Sequence, residues 1–210
     1  MKGKVFVFFF LIFGALVLMN WLLTGLKNLS RGFAPVNYGN NGLAEINFNF
    51  FSQKESRNYI SQGYGSTYFS LFNYADNWHN GIDIVAKYGA PVLAAASGGV
   101  VAVGNQDNFC YKRGFGKFVA VKNDGLGLIL FYAHLGTVNV KVGEQIKLGG
   151  RIGTIGTTGY ETGTHLHFSV FDTKGFQMKN KNDCGPDPVG KDLNPLQYMD
   201  KFKTSLAAGR

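Results

Sequence analysis

The sequence predicts a mainly β fold, an antiparallel sheet or open sandwich, preceded by one N-terminal transmembrane helix. Three observations predict it. Seven short apolar runs, most of them rich in β-branched residues, recur between glycines that mark turns. Glycine reaches 29 of 210 residues beside 10 Tyr and 19 Phe, a composition that suits strands and turns and excludes an all-helical chain. Residues 5–26 contain no charged side chain. With 45% apolar and 16% charged residues the chain can bury a core, and with only 5 prolines it is neither collagen-like nor Pro-rich.

In chain order, residues 1–4 form a cytoplasmic tip carrying Lys2 and Lys4. Residues 5–26, VFVFFFLIFGALVLMNWLLTGL, would make a helix of roughly 33 Å, enough for a hydrocarbon core of about 30 Å. Trp21 stands where an interfacial aromatic belongs. A cleaved signal peptide is the alternative, but the apolar run exceeds the usual length of about 7–15 residues and no A-x-A site follows promptly. Comparing Lys2 and Lys4 with Lys27 and Arg31 leaves the orientation close to a tie. Residues 27–60, polar and Asn-rich, read as a spacer.

The β domain follows over 61–198. Its strands are expected at 82–85, 90–96, 99–104, 117–123, 128–135, 146–156 and 165–171. Segments 106–115 and 173–192 lack any period and read as loops. A short helix follows Asn194-Pro195, and residues 199–210 form a tail.

The net charge is +8, and the cationic excess survives removal of Lys2 and Lys4. Such a surface favours polyanions, among them anionic wall polymers. No nucleic-acid-binding motif accompanies it, so nucleic acid is not an expected partner. Cys110 and Cys184 lie in the two loops without CxxC spacing, which argues against a cysteine metal site. They form either one loop-joining disulfide in an oxidising compartment or two separate thiols.

The chain has four histidines. His165 and His167 sit two apart in HLHFSV, so on a strand both imidazoles share a face. His79 and Asp83 belong to HNGID, where Asn80-Gly81 is a strong turn signal. On a straight strand four residues span about 13 Å, too far for one ion with bonds near 2 Å. Both can reach one ion only if the backbone bends at Asn80-Gly81, a bend that glycine permits. Two histidines and a carboxylate make a recognised catalytic zinc set with a position left for water, while a hairpin with surface side chains is the plain alternative. His134 lies in the apolar run FYAHLG and by itself reads as a core histidine.

Taken together, HNGID, FYAHL and VKVGEQIKLGGRIGTIGTTGYETGTHLHFSVF resemble the lysostaphin-type (LytM-like) zinc endopeptidases, which cut peptidoglycan peptides. The resemblance covers residues 61–198. It implies that His79, Asp83 and His167 bind one zinc ion (Zn2+) and that His134 and His165 are the metal-free catalytic imidazoles beside it. It also implies peptidoglycan peptides as substrate and a location outside the cytoplasmic membrane, with residues 5–26 as the tether. Two departures stand out: Tyr64-Gly65-Ser66-Thr67 lacks the arginine of the family's upstream motif, and Thr164 replaces a frequent proline before HLH. Both concern substrate positioning.

By residue type, a zinc-bound water supplies the nucleophile near neutral pH. One of His134 and His165 would move protons and the other would stabilise the oxyanion, in an order the sequence leaves open. Two rivals remain in view. An inactive wall-binding activator on the same fold would be expected to have lost ligands, and this chain keeps all five groups. A biotinyl or lipoyl carrier would need an attachment lysine, and none of Lys112, Lys117 and Lys122 stands in such a motif.

Overall fold

The computed structural model describes residues 59–198 apart from Ala75 and Asn182. The predicted anchor at 5–26 and the C-terminal tail therefore lie outside the described residues. Among those described, no helix is long and apolar enough to cross a membrane.

The elements are β1 (Tyr59–Gln62), α1 (Tyr68–Asn73), β2 (Ile82–Val85), β3 (Pro91–Leu93), β4 (Gly98–Asn105), β5 (Lys117–Asn123), β6 (Leu128–Ala133) and β7 (Leu135–Val138). They continue with β8 (Gln145–Ile146), β9 (Arg151–Ile155), β10 (His165–Asp172), β11 (Gln177–Asn180), β12 (Pro186–Val189) and β13 (Asp192–Leu193). Short 3-10 turns occupy Gln106–Asn108 and Pro195–Tyr198. The predicted mainly β, antiparallel architecture holds.

One large sheet runs β1-β2-β10-β6-β5-β4-β8, with β13 also pairing β10; a three-stranded sheet runs β3-β9-β7, and β11-β12 form a hairpin. Every pairing is antiparallel. Strand alternation divides the central strands between two apolar layers. Leu128, Leu130 and Tyr132 of β6 join Leu166, Phe168 and Val170 of β10 and pack with Val92, Leu135, Ile152 and Ile155 of the smaller sheet. Ile129, Phe131 and Ala133 project to the other face, with Phe118 and Phe171. That burial on both faces is why β6 reads as a continuous apolar run. On β10 the second face carries His165, His167 and Ser169, so the polar residues gather opposite the sandwich interior.

Several boundaries differ from the sequence expectation. The run 128–135 breaks at His134, which adopts φ +58° as the chain leaves the large sheet for the small one. The run 146–156 divides into β8 and β9, and 90–96 shortens to Pro91–Leu93. The segment 173–192, expected as a loop, contains the β11–β12 hairpin. β1 begins at Tyr59, within the last two residues assigned to the spacer. Cys110 and Cys184 form a disulfide that ties the 106–116 loop to that hairpin, deciding between the two readings left open above.

Candidate metal centre and its groove

β2 and β10 pair so that Asp83 stands directly opposite His167, and Ala133 flanks His167 from β6. Cross-strand neighbours lie about 5 Å apart at Cα, so the register alone brings the carboxylate to the imidazole. His79 arrives from the segment before β2. An isolated antiparallel bridge to Gly65 fixes it, with Gly65 N donating to His79 O at 2.8 Å and His79 N to Gly65 O at 3.0 Å.

The result is a tight triangle. His79 Nε2 lies 3.2 Å from Asp83 Oδ1, His167 Nδ1 lies 3.0 Å from the same oxygen, and the two nitrogens are 3.0 Å apart. All three side chains are buried. The His79 Nδ1–H donates to the Gly63 carbonyl at 2.7 Å, which leaves Nε2 as a bare lone pair in the neutral ring. His167 is held at its other nitrogen by Ser169 Oγ at 2.6 Å. Two imidazole nitrogens and a carboxylate oxygen converging with their outer nitrogens already occupied suit a divalent ion such as zinc.

Electrostatics agree with this arrangement. Burial works to raise the Asp83 carboxyl, but its interactions with His167 and His79 outweigh it and hold the group well below the ordinary carboxylate range. Burial pushes His167 down to about 4, against the pull of Asp83. The ring therefore stays neutral at pH 7, as a ligand must.

The bend between His79 and Asp83 exists, but its glycine serves a different purpose from the one expected. Gly81 does not use a left-handed φ. A Cβ there would lie 2.6 Å from Phe168 O, 2.7 Å from Ser169 Oγ and 2.9 Å from His167 Cε1, so the glycine lets the two strands close on each other. Gly81→Ala is accordingly expected to lower stability by about 1–3 kcal/mol and to weaken zinc binding at least tenfold. Thermal unfolding and chelator competition measure the two effects, and parental values for both would refute the close approach.

His134 and His165 lie beside the triangle, their ring centroids 4.7 Å apart. The His134 Nδ1–H donates to Thr158 O at 2.8 Å and the His165 Nδ1–H to Gly163 O at 2.7 Å. Each ring thus keeps Nε2 as its acceptor, and His165 Nε2 lies 3.7 Å from Asp83 Oδ1. His134 is further fixed through its backbone, its N donating to Phe115 O at 3.0 Å and its O accepting from Gly156 N at 3.0 Å. Burial, reinforced by His165 and His167, pushes it down to about 3. A non-glycine residue at positive φ costs on the order of 1–3 kcal/mol, which this corner accepts in order to present the ring.

All five residues singled out in the sequence are therefore brought together. Several neighbours were not foreseen. Tyr74 packs 5.8 Å from the His79 ring, and Phe115 packs 5.1 Å from His167. Ser169 was within reach of the same period-two argument that paired His165 with His167. The carbonyls of Gly63, Thr158 and Gly163 leave no side-chain signal. A groove of about 730 Å3 opens over His79, His134 and His167, and Trp78, Arg113 and Phe115 also line it.

Residues 77–180 match peptidase family M23. The chain is similar to the glycyl-glycine endopeptidase ALE-1 of Staphylococcus capitis, 38% identical over 132 residues, which are 63% of this chain and 33% of that protein. It is also similar to the murein hydrolase activator NlpD of Escherichia coli strain K12, 31% identical over 61% of this chain and 28% of that protein. Among solved structures, the catalytic domain of the antimicrobial peptidase lysostaphin from Staphylococcus simulans matches with a TM-score of 0.53 and 28% identity, covering 68% of this chain and 92% of that one. The chain spans a third or less of the length of these two curated relatives.

Proposed function

We propose that this chain, whose β domain is of the lysostaphin-type M23 peptidase family, is a zinc-dependent endopeptidase that hydrolyses peptide bonds in peptidoglycan. The observation that carries the proposal is the placement of two carbonyl-anchored imidazoles, His134 and His165, against a complete His79–Asp83–His167 ligand triangle.

In this reading His79 Nε2, Asp83 Oδ1 and His167 Nδ1 hold zinc. Bound there, the metal supplies a water acidic enough to act as nucleophile near neutral pH and polarises the scissile carbonyl. The rest falls to the protein. The peptide lies in the groove over His134 and His167. Neutral at pH 7, His134 can take a proton at Nε2, and its conjugate acid surrenders that proton readily to a departing amine. His165, with Nε2 facing the same space, serves either this role or, once it carries a proton at Nε2, donation to the developing oxyanion. Phe115, packed on His167 and Phe131, holds the His167 ring in place through apolar contact.

The apolar segment 5–26 would tether the domain to the membrane, with the domain on the outer side where its substrate lies. An oxidising compartment agrees with the Cys110–Cys184 disulfide.

A second reading, a wall-binding activator without catalysis, draws on the similarity to NlpD. The intact set of five groups favours hydrolysis. The purified full chain incubated with cell walls is expected to release muropeptides, to stop when a chelator removes zinc, and to resume when zinc is returned. Zinc-loaded protein that releases nothing would overturn the hydrolase reading in favour of the activator.

A further inference from the structure

Five charged side chains line the groove: Asp76, Arg113, Lys181, Asp187 and Asp192. Four of them are engaged. Asp192 Oδ2 accepts from Trp78 Nε1 at 2.8 Å, and Asp76 Oδ1 accepts from Trp78 N at 3.3 Å. Lys181 Nζ lies 3.7 Å from Asp187 Oδ2, whose other oxygen accepts from Gln106 Nε2 at 3.1 Å. The Arg113 guanidinium, exposed on the wall, has no hydrogen-bond or ion-pair partner among the described residues.

The loop that presents this arginine is unusually well fixed. Arg113 N donates to Cys110 O at 2.9 Å, and Cys110 is bonded to Cys184 of the hairpin. Gln106, fully buried, accepts from Phe115 N at 2.5 Å and donates to Pro186 O at 2.9 Å. Asp107 Oδ1 accepts from Lys112 N at 2.9 Å, and Gly114 O accepts from Tyr160 N at 2.8 Å. Gly114 turns through φ +66° at a point where a Cβ would collide with Gln106 Oε1. A cation displayed on such a loop loses little backbone freedom when it engages a ligand.

We propose that Arg113 is a specificity-determining residue that recognises a carboxylate of the substrate, so that the groove selects peptides bearing a free carboxylate close to the bond being cut. This rests on the groove being the peptide site of the function proposed above. A guanidinium presents paired N–H donors that match a carboxylate in bidentate fashion, a fit an ammonium lacks. The three acidic side chains around the groove disfavour an extended polyanion, so a single carboxylate is the chemistry that fits. It can belong to the peptide's C-terminus or to an acidic residue within it.

The test uses the full chain and cross-linked muropeptides in three forms: carboxylates free, the C-terminal carboxylate amidated, or the internal carboxylate amidated. The parent is expected to favour the free form over one of the amidated forms by about tenfold or more, as a charge-assisted hydrogen bond allows, with the difference in KM. The amide that loses the preference identifies the source. In Arg113→Gln the ratio is expected to fall to about one, and in Arg113→Lys to recover in part, with zinc content unchanged. A parent without preference, or an Arg113→Gln variant that keeps the parental ratio, would overturn the proposal. Calorimetric binding of the same peptides reads the ratio independently of turnover, so an inactive protein would sink the hydrolase reading and still decide the role of Arg113.

Discussion

Asp83→Ala and His167→Ala are each expected to abolish zinc binding and wall hydrolysis together. The ligand atoms lie 3.0–3.2 Å from one another, Asp83 Oδ1 is shared by both imidazoles, and among the described residues no other carboxylate belongs to the cluster. If metal binding is worth about 10–16 kcal/mol, losing even a third of it lowers affinity by about a thousandfold. Asp83→Asn is the sharper variant, because it keeps the shape of the side chain and removes the charge that offsets the ion. Its zinc content, measured by elemental analysis after dialysis, should fall to background while the far-ultraviolet circular dichroism stays that of a folded β protein. Retention of stoichiometric zinc by either Asp83→Asn or His167→Ala would show that the triangle is not the metal centre.

Much of this centre could be read from the chain because two strand arguments suffice for most of it. HLH places His165 and His167 on one face by alternation, and the structure adds that this face is the one turned away from the sandwich interior, since Leu166 and Phe168 point the other way. The bend after His79 was also legible, from Asn80-Gly81. Its cause was not: the glycine is needed because Phe168 and Ser169 press against it, and that contact joins residues nearly ninety positions apart.

What the sequence concealed was either too short to show a period or written in the main chain. Helix α1 has six residues, and its start is a box in which Thr67 and Ser70 cap each other, a weaker signal than the usual pairing with Glu or Gln. Hairpin β11–β12 carries two prolines and four polar residues among its eight, a composition that reads as loop; among the described residues its strands pair only with each other, and the disulfide holds it to the 106–116 loop. The break at His134 hides inside LILFYAHL because every residue there is buried and all but the histidine are apolar, whichever sheet they join. The segment 5–26, conspicuous by composition, lies outside the described residues.

That break makes His134 the most informative position to change after the ligands. His134→Ala removes Nε2 and the Nδ1–H bond to Thr158 at once, and it leaves a residue without local hydrogen bonding at φ +58°. His134→Asn is the better variant, since asparagine tolerates the left-handed region and its amide can still donate toward Thr158 O. Neither change touches a ligand atom of the triangle, so zinc is expected to stay bound at the parental level. Turnover is expected to fall by about 10²–10⁴-fold, the usual worth of a positioned acid–base group. The loss should appear in kcat with KM little altered, because the other residues lining the proposed peptide groove are unchanged. An equal rise in KM would instead make His134 a residue of peptide binding, and hydrolysis at the parental rate would leave His165 to act without it. Running His165→Asn in parallel separates the two imidazoles: the variant whose activity is partly restored by added small imidazole is the one whose ring carries the proton.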